Sequence, residues 1–193
     1  MERRGERGWV EVVCGPMFSG KSEELIHRVT RSVLARIPVQ TFKPAIDDRY
    51  AVDEVVSHSS LSVSARPVAD SKELLRAIDD NTVVVGVDEG QFFDSGLIGV
   101  CEALAIAGKQ VIVAGLDLDY LGRPFPPIPE LAARSEYVTK MLAVCHRCGA
   151  PAAFTQRIVD SEDLVVLGAT GAYEARCRLC FDPGELQQTR FEV

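Results

Sequence analysis

Two apolar patterns alternate along the first three quarters of the chain. One is the short β-branched run, the other a stretch with apolar positions three and four apart. Trp9–Cys14 reads as a strand. Residues 23–36 carry Leu25, Ile26, Val29, Val33 and, just beyond, Ile37 near helical spacing. Val39–Lys43 reads as a second strand ended by Pro44. Residues 51–60 are rich in Val and Ser and have no period, whereas 61–68 predicts a strand ended near Pro67. Asp70 or Ser71 can cap a helix whose apolar face is Leu74, Leu75 and Ile78. Residues 82–87 form a nearly continuous β-branched run, as expected of a strand covered on both faces. A helix follows over 95–107 with Leu97, Val100, Cys101 and Leu104 on one side and Gly108 placed to end it. Then come a buried strand over 110–116, a Gly-, Pro- and aromatic-rich loop over 117–129, a helical turn over 130–134 and a strand over 137–144. This β/α alternation predicts an α/β fold with a parallel sheet flanked by helices, and ligands at the carboxyl ends of its strands.

The loop after the first strand sharpens that expectation. Gly15-Pro16-Met17-Phe18-Ser19-Gly20-Lys21-Ser22 matches Gly, four residues, Gly-Lys-Ser, between a strand and a helix. Glycines let the backbone approach a polyphosphate and turn its N–H groups inward. The helix start adds partial positive charge. Lys21 can reach the outer phosphates, and Ser22 can place its hydroxyl on magnesium. The strand over 82–87 ends in Asp88-Glu89. Asp88 is expected to serve the magnesium ion. Glu89, expected to face the opposite way as the next strand residue, is free to act as a base. The 117–129 loop follows a central strand, so it is either a site loop or a packed surface lid.

Cysteine spacing adds a second unit. Cys145-His146-Arg147-Cys148 and Cys177-Arg178-Leu179-Cys180 are two CxxC knuckles 28 residues apart. Four cysteines and no open position suit one structural, tetrahedral zinc. His146 is expected to be exposed, and Cys14 and Cys101, set among apolar neighbours, to be buried thiols. Between the knuckles, 152–157 and 164–167 read as short strands, and 168–173 as a flexible small-residue segment, either a loop over the site or a plain linker. The expected organisation is a charged tail over 1–8, a nucleotide-binding domain over 9–143, and a zinc-binding domain over 144–193 that carries the closing loop.

Charge and hydropathy exclude some classes. The net charge of −7 disfavours non-specific nucleic-acid binding, and residues 143–193 hold five basic against seven acidic side chains. No apolar run is long enough to span a membrane, and the charged first eight residues lack the apolar stretch of a signal peptide, so a cytoplasmic protein is expected. Three readings compete on these residues: a small-molecule kinase, a RecA-like ATPase in which Glu89 activates water, and a zinc-ribbon binding module with a vestigial nucleotide site.

Taken together, residues 8–180 resemble the type II thymidine kinase family. The motifs that carry the likeness are Gly15–Ser22, Asp47-Asp48-Arg49-Tyr50, Asp88-Glu89-Gly90-Gln91-Phe92-Phe93, Ala114-Gly115-Leu116-Asp117 and the two cysteine pairs. The resemblance implies a RecA-like core and transfer of the γ-phosphate of ATP to the 5′-hydroxyl of thymidine. It implies Glu89 as general base, the loop 15–22 and residues 88–91 at ATP, and Ser22 with Asp88 at magnesium. Asp47 and Arg49 would lie near the acceptor's 5′ end. Met17, Phe92, Leu116, Tyr120 and Phe125 would surround the nucleoside, Thr155 would contact the base, and Val166, Gly168 and Tyr173 would belong to the loop that closes over it. A homotetramer and feedback inhibition by dTTP are implied as well. Two departures stand out: Tyr120 where the family has phenylalanine, and 169–172, which is poorer in glycine and acid than the family's closing loop.

Overall fold

The computed structural model describes residues 8–45, 54–56, 62–159 and 171–183. In chain order the elements are β1 (Trp9–Cys14), α1 (Lys21–Leu34), β2 (Val39–Pro44), β3 (Glu54–Val56), β4 (Ser62–Ser64), β5 (Arg66–Val68), α2 (Ser71–Ala77), β6 (Val84–Val87), a 3-10 turn (Gly90–Phe92), α3 (Gly96–Ile106), β7 (Gln110–Gly115), α4 (Ile128–Arg134), β8 (Tyr137–Lys140), β9 (Ala143–Val144), β10 (Pro151–Ala152), β11 (Phe154–Arg157) and β12 (Tyr173–Arg176).

Six strands form one sheet in the order β5-β2-β6-β7-β1-β8, and every pairing in it is parallel. The period of two along each strand divides its residues between two cores. On one face Val10, Val12, Val85, Val87, Val111 and Val113 pack with Leu74 of α2, Leu97 and Leu104 of α3, and Ile128 and Leu131 of α4. On the other Val13, Val84, Ile112 and Ala114 pack with Leu25 and Val29 of α1. Both faces are covered, which is why the strands read as unbroken apolar runs. Each such fully buried side chain contributes about 1.5–3 kcal/mol.

Local chemistry sets the helix ends. Asp70 caps α2 by accepting from the Glu73 N–H at 2.7 Å, and Glu73 accepts in return from the Ala69 N–H at 2.7 Å. Glu23 and Glu24 place negative charge in the first turn of α1. The helix over 95–107 is α3, and Gly108 follows it at φ 87°, as its position predicts.

Four expectations need correction. Residues 61–68 are not one strand. Ser62–Ser64 pairs with Glu54–Val56 in a hairpin, and Arg66–Val68 joins the main sheet, where Pro67 is tolerated because β5 is an edge. The strand expected over 137–144 divides into β8 and β9, which lie in different sheets. Leu75 of α2, Val33 of α1 and Ile37, just past the end of α1, are exposed instead of joining the apolar faces their spacing suggests. Tyr173 does not belong to a flexible segment. It opens β12 and sits opposite Arg157 of β11. The strand read over 164–167 lies outside the described residues.

Candidate active site and metal centre

The phosphate loop leaves β1 and enters α1 through two glycines with positive φ. Gly15 has φ 143°, and a Cβ there would fall 2.4 Å from the Met141 carbonyl oxygen. Gly20, φ 82°, is the N-cap of α1, so the first N–H groups of the helix open toward the loop. Ser19 is buried and its hydroxyl donates to the Pro16 carbonyl at 2.8 Å. Lys21 Nζ donates to the same carbonyl at 2.8 Å, which holds the ammonium over the loop. Phe18, at φ 64°, is half-exposed on the outer rim. Two positive-φ glycines thus turn the main chain, and the Lys21 ammonium is held across the turn.

The acid pair lies at the end of β6, two strands over from β1 in the sheet. Asp88 is buried, its N–H donates to the Phe42 carbonyl at 3.0 Å, and it receives a hydrogen bond from the Ser22 side chain. Burial, then the charge of Glu89, holds the Asp88 carboxyl well above the usual carboxylate range. The Lys21 charge offsets this only in part, and the Ser22 hydroxyl beside the carboxyl completes a pair of hard oxygen donors of the kind magnesium takes. Glu89 does not face away as a strand residue. The strand ends at Val87, and Glu89 occupies the left-handed region at φ 51°, ψ 41°, with its N–H on Asp88 Oδ1 at 2.9 Å.

The expected nucleoside wall is built on the loop after β7. Asp119 organises it, accepting from the N–H groups of Leu121 and Arg123 at 2.9 Å each and from the Arg123 guanidinium at 2.8 Å. Phe125 meets Phe92 edge-on at 6.4 Å between centroids. Leu116 stands at the loop's start, its N–H on Gln91 Oε1 at 2.9 Å. Tyr120 lies under the Arg157 guanidinium, 3.6 Å from ring centroid to carbon, and Arg157 also donates to the Tyr173 hydroxyl at 3.0 Å. The buried Thr155 hydroxyl accepts from the Met17 N–H at 3.0 Å, tying β11 to the phosphate loop. Lys140 pairs with Asp117 at 2.6 Å beside the loop. The structure thus gathers Met17, Phe92, Leu116, Tyr120, Phe125, Thr155 and Tyr173 around the carboxyl ends of the strands. Asp47, Arg49, Val166 and Gly168 lie outside the described residues. Sequence reasoning missed Arg157 and the Asp117–Lys140 pair. Arg157 is two positions from Thr155 on a strand and so shares its face, which was an available signal.

The cysteines converge. One ligand atom from each of Cys145, Cys148, Cys177 and Cys180 lies within 4.8 Å of the others, and Cys148 Sγ is 3.6 Å from Cys177 Sγ. Four sulfurs at about 2.3 Å from a tetrahedral metal stand about 3.8 Å apart, so the cluster fits one zinc. The first knuckle caps the β9–β10 hairpin, with Gly149 at φ 75°, and the second follows β12. His146 is exposed and its N–H donates to Ala175, joining the knuckles. Burial opposes ionisation of Cys145, but the N–H groups of Cys177, Arg147 and Cys148 outweigh it and bring the thiol down; Cys180, donating to its neighbours, is pushed up. Away from the cluster, burial and then the charge of Asp117 push Cys14 up to about 11, and burial pushes Cys101 up to about 12. Among the described residues no helix is long and apolar enough to cross a membrane.

A family model described as thymidine kinase matches residues 8–181. A thymidine kinase of Rhodothermus sp. (strain ITI 518) is 54% identical over 179 residues, covering 93% of this chain and 84% of that protein. A likeness that runs from the first strand through the last cysteine is far more than a shared phosphate loop, and on it the chain belongs to the thymidine kinase family.

Proposed function

We propose that this enzyme transfers the γ-phosphate of ATP to the 5′-hydroxyl of thymidine, forming dTMP, with Glu89 as general base. The observation that carries the reading is the division of labour between two adjacent carboxylates. Asp88 is turned to Ser22 of the phosphate loop, and Glu89 is turned out of the strand by its left-handed backbone. One acid serves the donor and the other is left for the acceptor, as phosphoryl transfer requires.

The chain's residues then take these roles. Main-chain N–H groups of 15–22 and the Lys21 ammonium hold the donor phosphates, with residues 88–91 flanking them. Ser22 and Asp88 hold magnesium, which when bound neutralises phosphate charge. Glu89 takes the hydroxyl proton as the phosphoryl group leaves. Asp47 and Arg49 sit at the acceptor's 5′ end. Met17, Phe92, Leu116, Tyr120, Phe125 and Thr155 enclose the nucleoside, closed by 164–173 with Val166, Gly168 and Tyr173. Cys145, Cys148, Cys177 and Cys180 hold a structural zinc in a C-terminal domain over 144–193, set beside the nucleotide-binding domain over 9–143. A cytoplasmic homotetramer with dTTP feedback completes the reading.

The test is a panel of nucleosides offered with labelled ATP. Thymidine is the expected acceptor and its 5′-monophosphate the expected product; ATP hydrolysis with no labelled nucleotide would end the reading. Glu89→Gln should retain ATP binding and lose roughly two to four orders of magnitude in kcat.

A further inference from the structure

Gln91 lies in the 3-10 turn after the acid pair and is 4% exposed. A buried amide must place both a donor and an acceptor, and this one places them in different parts of the site. Its Oε1 accepts from the Leu116 N–H at 2.9 Å. Its Nε2 donates to Glu89 Oε2. The orientation of the amide is settled by chemistry, because a backbone N–H can only donate and so must face the oxygen. Nitrogen is thereby turned onto the glutamate.

The amide has little room to leave this position. A Cβ on Gly115 would lie 2.9 Å from Gln91 Oε1 and 2.7 Å from Ile128 Cδ1, so the strand end, the amide and α4 are already in contact. Leu116 directly follows β7, which is hydrogen-bonded on both sides within the sheet. Glu89 sits on a left-handed turn past the end of β6, and its carboxylate is within hydrogen-bond reach of that fixed amide.

We propose that Gln91 is a positioning residue: it carries the rigidity of the β7 end to the Glu89 carboxylate and aims that group at the acceptor hydroxyl. It acts through Glu89 and not on the reacting atoms themselves. This inference rests on Glu89 being the base. Aim matters because a reacting group displaced by about 1 Å can lose about a hundredfold in rate.

The test compares Gln91→Met, which loses both hydrogen bonds, with Gln91→Glu, which keeps an acceptor for Leu116 but offers Glu89 no amide. Both should lower kcat about 10- to 100-fold with KM for thymidine within about threefold. The decisive arm adds Gln91→Met to Glu89→Gln. A residue that acts through Glu89 has nothing left to position there, so the double variant should be no slower than Glu89→Gln alone. A raised KM for ATP with unchanged kcat, or full additivity in the double variant, would overturn the proposal while leaving the base in place. Wild-type turnover in Glu89→Gln would remove the base reading and this inference with it.

Discussion

Two glycine-to-alanine substitutions should have opposite effects, and their difference can be worked from contact distances. Gly99 lies in α3 with nothing within 4 Å of the Cβ it lacks. Alanine there removes backbone freedom from the unfolded chain and should stabilise by about 0.5–1 kcal/mol. Gly115 ends β7, and its missing Cβ would stand 2.7 Å from Ile128 Cδ1, 2.9 Å from Ile128 Cγ1 and 2.9 Å from Gln91 Oε1. Ordinary carbon contacts begin about 1 Å further out. Ile128 is fully buried in α4 and cannot retreat without moving the helix, so overpacking should cost about 1–3 kcal/mol. Displacing Gln91 also frees the Leu116 N–H, which adds about 1 kcal/mol. Set against the entropy gain, Gly115→Ala should lose about 2–3 kcal/mol and roughly 5–10 °C in Tm at this chain length. Differential scanning fluorimetry reads Tm, and steady-state kinetics on the same samples should show kcat falling with it. Adding Ile128→Ala removes both carbons that crowd the new methyl, so it should cost less in the Gly115→Ala background than in the wild type. A Gly115→Ala enzyme as stable and as fast as Gly99→Ala would show that the packing around the β7 end is misread.

Three further outcomes follow from the same site. At pH 8 Cys14 and Cys101, pushed up to about 11 and about 12, hold about one thiolate in a thousand or fewer; a disulfide reagent should therefore titrate four thiols after chelation and all six only on unfolding, and fast reaction of a fifth in the chelated, folded protein would refute it. Asp88, raised by burial and by Glu89 to about 7 from 3.8, binds a proton in the folded state that the unfolded chain has released, so in metal-free buffer stability should fall as pH rises through that window. Asp88→Asn should flatten this slope and melt higher at pH 8; a steeper slope than wild type would reverse the sign. Thr155→Val removes the acceptor of the Met17 N–H and should raise KM for ATP about three- to tenfold, whereas Thr155→Ser, which keeps it, should not.

What could be read ahead of the coordinates was what depends on residue type at fixed spacing. Gly15, Gly20 and Lys21 are nearly the only residues that can build an inward main-chain ring with a cation across it, and paired cysteines advertise a tetrahedral site. The parallel sheet was legible because two covered faces force apolar residues at successive positions, as in 84–87 and 111–114. Other features depend on partners distant in sequence. Nothing near Gln91 announces that its oxygen faces Leu116, 25 positions on. Nothing in Glu89 announces a positive φ, since the strain is imposed by its surroundings. Tyr173 looked mobile because small residues precede it, yet pairing with β11 makes it a strand. Leu75 was assigned to a core face by periodicity alone, and periodicity does not tell where the neighbouring sheet stops.

Those distant contacts also give a physical reason for a four-cysteine cluster beside the proposed site. β11 is four residues long and among the described residues pairs with β12 alone, and a two-stranded pair of that length is marginal in water. Yet its Thr155 holds the phosphate loop at Met17, and its Arg157 holds Tyr120 of the lid and Tyr173 of its partner strand. Phe181, just past the last cysteine, stacks on Phe154 at 4.5 Å and fills the space beside Gly122 of the lid. Packing alone supplies little rigidity there, because the local core is chiefly Ala143, Ala152, Ala175 and two cysteine side chains. A metal bound through all four thiolates would supply it without entering the chemistry. Chelation should then raise KM for both substrates while the six-stranded sheet stays folded. Loss of the sheet's circular-dichroism signal in step with the metal would instead make the cluster a global staple.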